Sequence, residues 1–305
     1  MQSKTVYGGI EAGGTGFSLA IAIGEPSNIT ERISVPTTTP QETKDRVLQW
    51  FKERGEIHSF GIASFGPVDL DKLSPTYGYI TTTPKPGWQN TNILGWIKEQ
   101  YPNTPVGFDT DVNGAAISET KHGKHERGAI DSCAYITVGT GIGVGVVINN
   151  QPVHGLVHPE GGHTLVKMQK GDEGFQGTCP FHGNCVEGLV STGAISKRVN
   201  LNADQIPTLS DQDPVWKVIA HYLAELCANL IMSLSPKIIV LGGGVLNREC
   251  LYPLIRQETL TILNGYIKSP YLTPENIHKY IVQSPYKSSA GLVGSLELAR
   301  IELSK

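Results

Sequence analysis

Val6 and Ile10 precede a break at Ala12-Gly13-Gly14-Thr15-Gly16, and Phe17, Leu19, Ile21 and Ile23 follow it at every second position. Period-two spacing around a glycine cluster predicts a β-hairpin. The arrangement returns: Tyr135-Ile136-Thr137-Val138 runs into Gly139-Thr140-Gly141, and Ile142, Val144, Val146 and Ile148 lead away. The Gly-Thr-Gly of 14–16 thus recurs at 139–141 with strands on both sides, which predicts an internally duplicated chain.

Between the hairpins the pattern predicts a helix over Gln41–Arg54, a strand at Phe60–Ala63, a Pro/Thr/Gly-rich loop over Phe65–Asn92 and a strand entering Phe108. Residues 149–187 carry many Gly and His without apolar periodicity, so they read as an irregular excursion that needs support. Val215, Ile219, Leu223, Leu226 and Leu230 repeat at helical spacing within Pro214–Ser235, and Ile238–Leu241 reads as a strand ending at Gly242-Gly243-Gly244 with a helix beyond. Ser288–Leu303 reads as a last amphipathic helix, and a hinge is expected near 113–125. Strands mixed with helices give an α/β class.

Composition narrows the function. The 305 residues hold 35 glycines, well above the usual ~7%, and only 17% charged residues. A net charge of -3 offers no basic field for nucleic acid or anionic lipid. No run approaches the ~20 uninterrupted apolar residues of a membrane span, and the N-terminus lacks a signal-peptide core, so a cytoplasmic, soluble protein acting on small molecules is expected. Five scattered cysteines do not make a disulfide framework.

Three glycine turns, at 13–16, 139–145 and 242–244, each follow an apolar strand and can present backbone N–H groups to phosphate oxygens. Neither the Walker nor the dinucleotide spacing is present. Asp111 sits after an apolar strand at the start of a helix, where it serves either as a base for an attacking hydroxyl or as an ordinary helix-terminal acid; Asn113 is either functional or a cap. Cys179-x-x-His182-x-x-Cys185 offers three zinc ligands, with His163 the best fourth and His158 and His154 as competitors. Such a closed site would staple the excursion. Glu160 and Glu187 flank it and could accept from sugar hydroxyls. Trp88 is either a ligand-lining or a core residue, and Cys133, Cys227 and Cys250 read as packing residues.

Glu11-Ala-Gly-Gly-Thr15, Asp109-Thr-Asp111-Val-Asn113, Thr137–Gly145, Glu160-Gly-Gly-His163 and Cys179–Glu187 together resemble the ROK family along essentially the whole chain, and within it the bacterial fructokinases. The resemblance implies a two-lobed actin-like ATPase fold, a duplicated ribonuclease H-like α/β architecture with an interlobe cleft. Its lobes would be 1–115 completed by the C-terminal helix 289–305, and 116–288 with the excursion 149–187. It implies a homodimer and an ATP-dependent fructokinase forming fructose 6-phosphate, with Asp111 as general base. Glu11 would act through Mg²⁺; Gly13, Gly14, Thr15, Gly139, Thr140 and Gly141 would hold phosphates; and Gly242, Gly243 and Gly244 would border the adenosine. Asn113, Glu160, His163 and Glu187 would contact the sugar, while His163, Cys179, His182 and Cys185 would hold Zn²⁺. A glucokinase or amino-sugar kinase of the same family, or a silent sugar or nucleotide sensor, is the alternative. Two departures stand out: Gly16 replaces the usual Lys, and His182 replaces a Cys of the commoner zinc cluster, a form similar to the fructokinase branch. With the first strand expected by Lys4, no N-terminal DNA-binding domain like that of the family's repressors is expected.

Overall fold

The structure is a computed structural model that describes residues 5–286 and 289–305. Lys4 and Ser288, the expected starts of the first strand and of the last helix, lie outside the described residues.

The chain divides into two compact units, residues 1–122 with 152–159 and 289–305, and residues 123–151 with 160–288. In the first, β1 (Val6–Ala12), β2 (Gly16–Ile23), β3 (Ile29–Pro36), β4 (Ser59–Ser64), the short β5 (Tyr79–Ile80) and β6 (Thr91–Asn92), and β7 (Val106–Thr110) alternate with α1 (Pro40–Lys52), α2 (Ile93–Gln100) and α3 (Asp111–His122). The five longer strands form a sheet in the order β3-β2-β1-β4-β7, antiparallel through the hairpin and parallel from β1 to β7. In the second unit, β8 (Cys133–Val138), β9 (Ile142–Ile148), β10 (Gln151–Pro152), β11 (Ile238–Gly242) and β12 (Ile281–Gln283) form a sheet ordered β10-β9-β8-β11-β12. Counted along each half, both sheets read 3-2-1-4-5. The duplication seen in the two glycine hairpins therefore extends to the whole strand order.

The second unit also holds α4 (Val186–Val190), α5 (Thr192–Val199), α6 (Val215–Leu234) and α7 (Leu251–Leu263), while α8 (Ala290–Leu303) belongs to the first. α6 is long and apolar enough to span a membrane but is mostly buried, as a core helix is. α8 departs from the amphipathic expectation: Ala290 through Ala299 are all buried. It packs on β1, β4 and β7 along one side and on α3 along the other. Glycines allow that approach, since a Cβ on Gly61 would sit 1.8 Å from Ser295 O and one on Gly294 1.9 Å from Gly114 O.

The first unit's core is aromatic. Phe17, Phe51, Phe60 and Trp88 are fully buried, with Trp88 5.5 Å from Phe17 and 5.9 Å from Trp96. Trp88 is thus a core residue, its indole N–H satisfied by Thr38 O at 2.9 Å. The unit ends at His122 rather than at 115/116, because α3 runs unbroken from Asp111 to His122 and its last residue pairs with the buried Glu297 of α8.

Candidate active site

Parallel strands aim their C-terminal ends at the loops that follow, and Glu11, Asp109 and Asp111 lie at the ends of β1 and β7. Asp111 begins α3 immediately beyond β7, with its Oδ1 accepting Val112 N–H at 2.8 Å. Thr110 Oγ1 accepts Asn113 N–H at 3.1 Å, so the threonine, not Asn113, caps the turn. Asn113 is 1% exposed, and its amide donates to Asp109 Oδ1 at 2.8 Å. Glu11, at the end of β1, is pushed up to about 7 by burial, with the charge of Asp111 adding to the effect and a Ser18 hydrogen bond opposing it. Glu11 and Asp111 are therefore electrostatic neighbours within one unit.

The two hairpin turns differ in detail. Gly13 N–H donates to Gly16 O at 3.0 Å, which leaves Gly14 and Thr15 exposed at the tip. In the second unit Gly139 N–H donates to Gly141 O at 3.0 Å, one residue tighter, and exposes Thr140. Glu187, in the first turn of α4, presses against that hairpin: its Oε2 accepts Ile142 N–H at 3.0 Å, and a Cβ on Gly141 would lie 2.7 Å from the same oxygen. Gly243 holds φ +92°, the left-handed region that disfavours a side chain, and Gly242 lies against Tyr135.

Within the excursion, a single 3₁₀ turn at Gly161–His163 sets Glu160 and His163 beside Glu187. His163 Nε2 is 4.0 Å from Glu187 Oε1. Burial raises the Glu160 pKa, His163 lowers it and Glu187 raises it further. The three second-unit residues expected at the sugar are thus brought together.

His163, Cys179, His182 and Cys185 place one donor atom each within 4.8 Å of one another. His163 Nδ1 is 3.6 Å from both cysteine sulfurs, and His182 Nδ1 is 3.6 Å from Cys179. With zinc bonds of about 2.3 Å to sulfur and about 2.05 Å to nitrogen, the edge of a tetrahedron is roughly 3.6 Å, so the donor set fits zinc. Nδ1 of His163 faces the sulfurs and Nε2 faces Glu187. The two competing histidines stand elsewhere: His154 Nε2 meets Asp109 Oδ2 at 2.9 Å, and His158 Nε2 accepts Val68 N–H at 3.1 Å.

Cys133 and Cys227 are buried packing residues, but Cys250 is half-buried with Asp211 and Arg248 among its electrostatic neighbours, not in apolar surroundings. Sequence reasoning passed over Asp109, because a carboxylate near the end of a strand shows no periodic signal and its partner lies 45 positions away. A groove of about 640 Å³ between β3 and α1, walled by Val35, Arg46 and Trp50, contains none of the expected site residues.

The chain is similar to known proteins along its length. The ROK family pattern matches residues 7–302. A fructokinase of Zymomonas mobilis is 41% identical over 97% of this chain and 97% of its own, and one of Pediococcus pentosaceus is 40% identical over 98% and 99%. A ROK family glucokinase from Streptomyces griseus, solved with glucose and AMPPNP, superposes with a TM-score of 0.75 at 24% identity over 98% of this chain and all of that one. A match spanning nearly every residue, on a doubled α/β fold with both glycine hairpins in place, shows that the chain belongs to the ROK family.

Proposed function

We propose that the chain is an ATP-dependent fructokinase, transferring the γ-phosphoryl group of MgATP to O6 of D-fructose to give fructose 6-phosphate and ADP. The observation that carries this reading is Asp111 at the β7–α3 junction, in a ROK chain about 40% identical along its length to fructokinases. Asp111 takes the proton of the primary hydroxyl as the oxygen attacks the γ-phosphorus in line, a contribution of roughly 10²–10⁴-fold for a general base. The turns at Gly13, Gly14 and Thr15 and at Gly139, Thr140 and Gly141, exposed at Gly14, Thr15 and Thr140, offer N–H and hydroxyl donors to phosphate oxygens, and Gly242 to Gly244 border the adenosine.

Asn113, Glu160, His163 and Glu187 hold the sugar's hydroxyls. Glu11 suits Mg²⁺ through its waters: two neighbouring acids, one with its pKa raised, form a donor set that a divalent cation relieves. Bound Mg²⁺ supplies charge neutralisation on the phosphates. Zinc on His163, Cys179, His182 and Cys185 pins the excursion and thereby orients His163 and Glu187. The reading includes a cytoplasmic homodimer.

The experiment is ADP release with MgATP and a panel of hexoses, run on wild type and on Asp111→Asn. Fructose gives the highest kcat/KM, and Asp111→Asn loses at least about 10²-fold in kcat while its ATP affinity stays within about twofold. Glucose or an amino sugar winning the panel reassigns the substrate; near-normal turnover by Asp111→Asn removes the base.

A further inference from the structure

Residues 152–159 return to the first unit and carry two histidines that the chemistry above leaves without a task. His158 is a packing element: it is 5% exposed, its Nε2 accepts Val68 N–H, and burial lowers its pKa so that the ring stays neutral. His154 is held differently. Its Nε2 lies 2.9 Å from Oδ2 of Asp109, a carboxylate only 2% exposed that also accepts Thr110 N–H at 2.7 Å and the Asn113 amide at 2.8 Å, both on Oδ1. Three donors satisfy this buried carboxylate. Of those donors His154 alone can carry a compensating charge.

The ring is therefore clamped at one end and open at the other. The His154 side chain is 39% exposed, and among the described residues no hydrogen bond is made to its Nδ1. The clamp is built into the junction that carries the base, since Asp109 is the last residue but one of β7, Asp111 starts α3 and Asn113 lies two residues further on. The backbone of the strap then runs directly into Glu160.

On the hexose kinase reading, a bound sugar needs donors as well as acceptors. When ionised, Asp111, Glu160 and Glu187 only accept hydrogen bonds, whereas every sugar oxygen also presents lone pairs that need a donor. We propose that His154 is a sugar-contacting residue, its Nδ1–H donating to an oxygen of the acceptor hexose while Asp109 fixes the ring. The proposal rests on the hexose kinase reading and adds a contact to it. Asp109 raises the His154 pKa above the ordinary histidine value, which extends the doubly protonated donor form toward neutral pH. Other titratable groups near the strap include His158, kept neutral, Asp111 and Asp109 on the β7–α3 junction, Tyr77 beside Asp109, and Glu160 next along the chain.

Fructose binding to the intact chain without nucleotide, measured by calorimetry on wild type and His154→Gln, tests the contact. The expected result is a rise in fructose Kd and KM of roughly ten- to a hundredfold, the loss of one charge-assisted hydrogen bond, with the ATP KM within about twofold. In ¹⁵N-labelled wild type, fructose alone moves the His154 Nδ1 resonance, which keeps the proposal testable should the variant not fold. An unmoved fructose Kd, an unmoved Nδ1 resonance, or equal losses for ATP and fructose with a lowered Tm would each overturn it. A wild type that phosphorylates no hexose overturns the kinase reading and this contact with it, whereas normal wild-type turnover with an unchanged variant overturns His154 alone.

Discussion

Glu11 shows how one side chain ties site chemistry to stability. Its carboxyl goes from an ordinary 4.5 to about 7 in the folded chain, mainly through burial. The folded-state value exceeds the unfolded one, so between about pH 4.5 and 7 the folded chain keeps a proton that the unfolded chain has lost, and stability falls as pH rises through that window. Glu11→Gln removes the slope: without nucleotide the variant gains on the order of 3 kcal/mol over wild type at pH 8 and little at pH 4, although its turnover falls. Thermal or urea unfolding at both pH values checks this, and a wild-type profile as flat as the variant's would discard it. The position of Asp111 between an apolar strand and a helix was legible in the sequence, but that place suits a helix-terminal acid as well as a base, so its role was not. The partners of His154 and His158 were not legible either, since a histidine one or three residues from a glycine shows nothing of a partner that the fold brings from 45 or 90 positions away.

At the scale of elements, the excursion 149–187 contrasts with everything around it. Before α4 begins at Val186 it contains one short helical turn, the two-residue β10 and two isolated bridges, little regular structure for its length. The sequence signalled this through the absence of period, and the ligand spacing signalled the remedy. On the zinc reading, Cys179→Ser or prolonged chelation lowers Tm on the order of 10 °C and opens 149–187 to protease before the rest of the chain. Metal analysis of protein purified without chelator must then give about one zinc per chain; metal-free protein with an unchanged Tm after chelation would rule the staple out. Elements too short to carry a pattern escaped reading. β10 has two residues and β12 three, fewer than a period-two alternation needs to declare itself. α8 declared itself as a helix but not as a buried one, because glycine at 291 and 294 and alanine at 290 and 299 look neutral in a hydropathy pattern while they permit close packing.

For the whole molecule, the doubling that two glycine hairpins announced proved to govern all ten strands of the two main sheets. What local periodicity could not convey is that the first unit is assembled from three separate stretches of chain. Tyr7, Ala20 and Ala22 of its sheet are covered by Leu292, Leu296 and Ala299 of α8. A chain ending at residue 288 therefore leaves that face bare, and it should collect in inclusion bodies or bind a hydrophobic dye strongly. Soluble, cooperatively unfolding truncated protein with the full-length Tm would refute this.

That dependence on the last helix sets an order on biosynthesis. A growing polypeptide that already contains Asp111 and the first glycine hairpin still lacks the fourteen residues that cap the sheet beneath them. Until the ribosome releases its product, this half stays vulnerable to chaperones and proteases, so interrupted translation yields debris for turnover and not a partly working kinase.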